Sequence, residues 1–203
     1  MPRFLNIPGE NHYQHDICTD GAGGAFVAWC DRQGGSLDTY VQRIDSAGDR
    51  DFADTGLLLC NATGTQREPK IAYDGFGGAI IAWVDFRNGS ENGDIYAMRV
   101  GGNGAKLWDE TNGEAVCNSA DQVYNLEVIS DMYGGGIFAW SDLRDFATSA
   151  YDVYAQRLDG AGGLDDLGAV TKANYLCNEL GLDTISAGVT IACAMELAEK
   201  GYL

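Results

Sequence analysis

The chain has 203 residues, of which 45% are apolar, and its formal net charge is −17 at pH 7. This length and apolar content are sufficient for a buried core in one or two domains. The negative charge argues against nucleic acid and anionic membrane surfaces as partners, because both require a basic face. Twenty-eight glycines with only three prolines indicate many tight turns, as in an all-β repeat protein.

The first 16 residues show little periodicity and contain both histidines of the chain, His12 and His15. No third ligand is patterned with this pair, so we expect loop histidines rather than a metal site. The sequence shows neither a charged-then-apolar leader nor an apolar run of about 18 residues. It therefore predicts no export signal and no membrane insertion.

One pattern occurs three times between residues 20 and 157. In each copy a glycine-rich turn that begins with Asp leads into an apolar run ending in Ala-Trp. A second run of the form Asp-x-Tyr-x-x-Arg follows. The tryptophans of the three copies, Trp29, Trp83 and Trp140, are 54 and 57 positions apart. A fixed period near 55 residues indicates a repeat architecture.

Each repeat is predicted to form four short strands. In the second copy these are residues 69–74, 78–84, 94–100 and 114–117, separated by Asp-Gly and Asn-Gly turns. The run 79–83 is apolar throughout and predicts a strand covered on both faces, whereas 94–100 alternates as a half-exposed strand does. Four strands per repeat is the plan of a β-propeller blade. We therefore predict three propeller-like blades over residues 1–160.

These repeats resemble the "DGxGGAxxAWxDxR … DIYAQR" repeats of large, mostly uncharacterised, secreted or surface-attached bacterial proteins that are taken to form propellers. The resemblance implies an exported or cell-surface binding module. Because three blades leave two uncovered faces, we also expect self-association through the open blade edges.

The repeated polar and aromatic groups have two interpretations. They could form a ligand surface, or a structural ladder in which Trp fills the space between blades and Asp pairs with Arg. A group repeated in every blade favours the ladder. The glycine-rich turns lack the alternating oxygen ligands of a calcium site and are predicted to be tight turns. The ladder comprises Trp29, Trp83, Trp140, Asp31, Asp85, Asp142, Arg87 and Arg144, with Gln33 in place of the first Arg.

The six cysteines include no C-x-x-C pair, which argues against a zinc ribbon or an iron–sulfur ligand run. Cys60 and Cys117 occupy equivalent repeat positions, each at the end of an apolar run. We expect both to be buried small apolar residues rather than disulfide partners.

The composition changes at residues 160–163. Beyond this point apolar residues fall at helical spacing, which predicts a helix over 165–180 that Gly181 ends. Ser186 is a candidate N-cap for a second helix over 187–200. The fold class is therefore mainly β, with about three four-stranded β-propeller-like blades followed by a two-helix α segment over 164–203.

The run Cys177-Asn178-Glu-Leu-Gly181-Leu182-Asp183-Thr184-Ile-Ser186, followed by Ala194-Met-Glu-Leu197, resembles the second, helical domain of the tungsten-containing aldehyde ferredoxin oxidoreductases. The resemblance implies oxidation of an aldehyde to a carboxylic acid with electrons passed to ferredoxin, using a tungsten-bound pterin and a 4Fe–4S cluster. In that family an Asp-x-x-Gly-Leu-Asp/Cys motif contacts the pterin. The matching cofactor-binding residues are Asn178, Gly181, Leu182 and Asp183, with Thr184 adjacent.

The segment departs from the family pattern in two places. Asn178 is neutral where the motif has an acid, and Lys172 and Tyr175 replace the Glu and His that hold a subunit-bridging iron. We predict that residues 164–203 are a fragment that does not bind the cofactor alone, and that ferredoxin is a partner only of a complete enzyme. The alternatives are a non-catalytic propeller module and a chimeric or truncated reading frame. The two parts imply opposite compartments, exported and cytoplasmic.

Overall fold

The computed structural model describes residues 12–32, 35–89, 93–108, 111–118, 122–144 and 151–164. In these residues the chain is mainly β, with eleven strands in three antiparallel sheets and no helix. The strands are β1 His12–Thr19, β2 Ala25–Asp31, β3 Asp38–Ile44, β4 Leu57–Cys60, β5 Gln66–Tyr73, β6 Ala79–Asp85, β7 Asp94–Val100, β8 Glu114–Cys117, β9 Val123–Ser130, β10 Gly136–Asp142 and β11 Asp152–Leu158.

Each repeat folds as one meander in which neighbouring strands are consecutive in sequence. Sheet 1 has the order β1-β2-β3-β4, sheet 2 the order β5-β6-β7-β8, and sheet 3 contains β9, β10 and β11. The mainly β class is thus confirmed, and the strands of the second repeat lie close to their predicted bounds. A fourth strand for the third repeat and the two predicted helices fall outside the described residues.

The turn after the third strand has the same geometry in all three sheets. An isolated bridge closes it between Ile44 and Arg50 in sheet 1 and between Val100 and Lys106 in sheet 2. Leu158 and Leu164 form the same bridge in sheet 3. The repeat geometry therefore extends to Leu164, the last described residue.

Sheet 2 lies between the other two sheets, and its two central strands, β6 and β7, are buried on both faces. All seven residues of β6 are buried, as the apolar run 79–83 predicts. Strand β7 is buried from Asp94 to Met98, so the prediction that it is half exposed is wrong. Its alternation reflects two different neighbours: sheet 1 packs on one face of sheet 2 and sheet 3 on the other.

The two histidines lie on a strand and not in a loop. Strand β1 begins at His12 and pairs with β2, with His15 opposite Trp29. The side chain of His15 is exposed. The loop prediction is wrong because β2 provides hydrogen-bonding partners for a segment whose own sequence has little periodicity.

No helix long and apolar enough to cross a membrane occurs in the part of the chain described here.

Candidate functional site

The predicted pterin contacts, Asn178, Gly181, Leu182, Asp183 and Thr184, all lie outside the described residues. The sites whose geometry can be followed are therefore those of the β repeats.

The repeated tryptophan, aspartate and arginine meet at one point in sheet 2. Trp83 Nε1 donates to Asp85 Oδ2 at 2.9 Å, and Arg87 Nη2 donates to the same oxygen at 2.7 Å. The Arg87 guanidinium lies 3.6 Å from the ring centroid of Tyr96, its cation–π partner. Cys60 of sheet 1 completes the group, with its Sγ 3.6 Å from Asp85 Oδ2. The cluster therefore joins sheet 1 to sheet 2.

Sheet 3 repeats this cluster. Trp140 Nε1 donates to Asp142 Oδ2 at 3.1 Å, and the Arg144 guanidinium lies 3.8 Å from the ring centroid of Tyr154. Arg144 Nη2 lies 3.5 Å from Sγ of Cys117 in sheet 2. Burial acts to raise the pKa of Asp142, but hydrogen bonds from Arg144 outweigh it, so the pKa lies below its ordinary value. These contacts confirm the structural ladder.

The first copy of the ladder differs. Trp29 stacks on Tyr40 with ring centroids 6.0 Å apart, as Trp140 does on Tyr154. Its buried Nε1, however, has no acceptor among the described residues. Gln33, which replaces the arginine of the later copies, lies outside them. The ladder is thus complete where one repeat packs on a preceding one.

A second repeated set of contacts, called the turn clasp, joins the aspartate of each glycine-rich turn to backbone N–H groups of that turn and to an arginine of the third strand. Asp74 Oδ1 accepts the N–H groups of Phe76 and Gly78, and Asp74 Oδ2 accepts Arg99 Nε at 3.0 Å. Arg99 Nη1 also donates to the carbonyl of Gly160 in sheet 3 at 3.3 Å. Asp20, Arg43 and Gly102 repeat the arrangement between sheets 1 and 2.

These clasps identify the turns as structural. In the first turn the N–H of Ala22 and the Arg43 guanidinium lower the pKa of Asp20. A carboxylate bound by backbone N–H groups and by an arginine has little capacity left for a calcium ion. The prediction of tight turns rather than calcium loops agrees with this geometry.

The first strands of the three sheets line a groove of about 360 Å³, the first-strand groove. Gln14, Glu68 and Asn125 occupy equivalent bulge positions there, with φ of 43°, 54° and 53°. Non-glycine residues in this region are strained and often lie at functional sites. The wall is held together across the sheets, since Lys70 Nζ lies 2.7 Å from Glu127 Oε1.

A second cavity, of about 420 Å³, lies between the segment that leads from sheet 1 into sheet 2 and the turn after β6; we name it the seam cavity. Arg67 lies against Phe86, with its Cζ 5.2 Å from the ring centroid. Arg67 was not among the residues predicted to form a site, although it interrupts the repeat: Tyr13 and Tyr124 occupy its place in the other first strands. The cavity is lined by Thr63, Gly64, Thr65, Arg67, Phe86, Arg87 and Gly89.

The described residues do not fit an iron–sulfur cluster. No three of their His, Cys, Asp and Glu side chains converge as metal ligands. Cys18, Cys30, Cys60 and Cys117 are free. Cys60 is buried as predicted, whereas Cys117 is only half-buried, so the prediction that both are buried is wrong for Cys117. Burial raises the pKa of the Cys60 thiol to about 12. Cys60 and Cys117 also contact different arginines.

Comparison with known proteins gives two kinds of similarity. The model of the family described as aldehyde ferredoxin oxidoreductase, domains 2 & 3, matches residues 132–203. The tungsten-containing aldehyde ferredoxin oxidoreductases of Pyrococcus furiosus and Thermococcus kodakarensis are 58% and 61% identical to this chain over 41 residues. That stretch is 20% of this chain, and it spans 7% of the length of either relative.

Among solved structures, the endo-arabinase of Bacteroides thetaiotaomicron matches with a TM-score of 0.42 and 14% identity, over 77% of this chain and 59% of that one.

The family match overlaps the β repeats. Its first part, from Met132 to Leu164, contains β10 and β11, which pair as the corresponding strands of sheets 1 and 2 do. The oxidoreductases themselves match over a shorter stretch of 41 residues. This chain carries a short segment similar to that family.

Proposed function

We propose that the C-terminal segment is a pterin-contacting fragment of an aldehyde ferredoxin oxidoreductase, joined to β-propeller repeats, and that this chain alone does not oxidise aldehydes. The observation that carries the proposal is the identity of 58% over 41 residues to the Pyrococcus furiosus enzyme. The turn from Asn178 to Thr184 would approach the pterin through a glycine backbone and short polar side chains. The bound group would supply the redox chemistry.

The energetics of a single turn support inactivity. Two or three hydrogen bonds at roughly 1 kcal/mol net each are far below the roughly 8 kcal/mol that micromolar binding requires. Asn178 weakens the site further, since a neutral amide replaces a charge-assisted acceptor. The described cysteines offer no electron-transfer cluster.

The proposal is tested on the full chain by elemental analysis and an aldehyde-dependent dye-reduction assay. We expect the wild-type chain to contain less than one tungsten or molybdenum atom per chain and to show no turnover. We expect the same of the variant Asn178→Asp, which restores the acid of the motif. Tungsten at one atom per chain together with turnover would refute the inactivity. A complete family enzyme serves as the positive control.

A second candidate function, non-catalytic binding by the repeats, is supported by the strained residues in the first-strand groove. We infer that the sheets are successive propeller blades whose first strands face a shared channel. Titration of small molecules followed by NMR tests this function. Shifts confined to residues near Glu68 and Asn125 would support it, and a broad screen without such shifts would count against it.

A further inference from the structure

The seam cavity places two arginines beside two threonine hydroxyl groups in a protein whose formal net charge is −17. Asp85 neutralises one of these cations through its contact with Arg87 at 2.7 Å. The side chain of Arg67 is exposed and forms no salt bridge with another described residue. The cavity wall therefore carries one net positive charge in a chain whose formal net charge is −17.

Arg67 is peculiar to this seam. It pairs with Val84, the residue after Trp83, whereas Tyr13 and Tyr124 pair with the corresponding residues Cys30 and Ser141. Two of the three repeats therefore form their sheets with tyrosine at this position. An arginine found once is not required by the repeat packing, unlike the ladder arginines.

Arg87 also differs from its counterpart Arg144. Arg144 Nε donates to both oxygens of Asp142, at 3.0 and 2.9 Å. Arg87 reaches Asp85 through Nη2, and its buried Nε has no acceptor among the described residues. A buried donor without an acceptor often marks the place of a water or an ion. Both departures from the repeat thus concern residues that line the same cavity.

We propose that the seam cavity binds a small oxyanion, either a carboxylate or a phosphate group, between Arg67 and Arg87. Guanidinium groups present paired N–H donors whose geometry matches two oxygens of such an anion. The hydroxyl groups of Thr63 and Thr65 supply further donors. The site is independent of the oxidoreductase-like segment.

The test is calorimetric titration of the full chain with inorganic phosphate and, separately, with succinate, at constant ionic strength. The wild type is expected to bind at least one of them with a Kd of about 1 mM. Arg67→Tyr, which installs the residue of the other repeats, is expected to weaken binding by about tenfold or more. The matched control is Arg50→Gln, which removes one positive charge outside the cavity and should change the Kd by less than about twofold.

The anion that binds more tightly shows whether the natural ligand carries a phosphate or a carboxylate group. The proposal is overturned if neither anion saturates the wild type below about 20 mM, or if Arg67→Tyr binds as tightly as the wild type. If that variant does not fold, chemical modification of the wild-type arginines by phenylglyoxal tests whether the anion binds at Arg67. The preferred anion should slow the reaction at Arg67 and not at Arg50, and equal rates at Arg67 with and without the anion would refute the site.

Discussion

The guanidinium of Arg87 in sheet 2 lies 3.3 Å from the thiol sulfur of Cys60 in sheet 1. The same Nη2 binds the buried carboxylate of Asp85 and the carbonyl of Asn112 at 2.8 Å. One side chain therefore fixes its own repeat and the end of the preceding one. A ladder built in this way couples the stability of neighbouring sheets.

Replacing Arg87 by alanine should destabilise the chain, because Asp85 then remains buried without its cation. We expect a loss of about 2–4 kcal/mol in the free energy of unfolding, measured by denaturant titration. The control, Arg50→Ala, removes an ion pair with the exposed Asp54 and should cost less than about 1 kcal/mol. Equal losses for the two variants would contradict the role of the ladder.

The depressed pKa of Asp142 predicts a specific acid sensitivity. A carboxyl whose folded pKa lies below its ordinary value of 3.8 contributes stability above that pH, and the contribution disappears as the pH falls through the folded pKa. Asp142→Asn should therefore destabilise the chain at pH 7, and by less at pH 3. Thermal unfolding of variant and wild type at both pH values measures the difference.

This comparison needs a control because the chain carries 30 acidic residues, whose mutual repulsion also falls on acidification. Asp54→Asn alters an exposed carboxylate and should shift stability little at either pH. The prediction is wrong if Asp142→Asn costs as much stability near pH 3 as at pH 7.

Gly113 tests the packing of the repeated tryptophan. A Cβ at this residue would lie 2.6 Å from Trp83 Cη2, and φ is +89°. Gly77 has φ of +83° but open space around a Cβ, so Gly77→Ala measures the backbone cost alone. We expect Gly113→Ala to be more destabilising than Gly77→Ala by about 1–3 kcal/mol. If denaturant titrations give the same loss of unfolding free energy for both variants, Trp83 can move aside without cost and the prediction is wrong.

The outer face of sheet 3 predicts self-association. Ile129 is 57% exposed and pairs with the half-buried Ile137, whereas Ile80, the counterpart of Ile137 in sheet 2, is fully buried. We therefore expect concentration-dependent oligomers in sedimentation experiments, and Ile129→Lys should shift them toward the monomer. Wild-type chain that stays monomeric at high concentration would refute this prediction.

The repeats allowed much of the fold to be predicted, since three copies of one pattern show which residues belong to turns and which to strands. The burial of β7 on both faces could not be read from its own alternation, because burial depends on how sheets stack. Contacts such as that between Arg87 and Cys60 join residues from different repeats. Arg67 could have been recognised as the exception to a tyrosine position.

The most direct test of the central claim, that one polypeptide joins β repeats to an oxidoreductase-like segment, is peptide mapping of the protein from its source organism. Trypsin cleaves after Arg157 and Lys172 and releases residues 158–172, which cross the junction. We predict that this peptide is detected together with peptides from both sides. Abundant peptides from each side without the junction peptide, in samples where a synthetic standard of it is readily seen, would contradict the account.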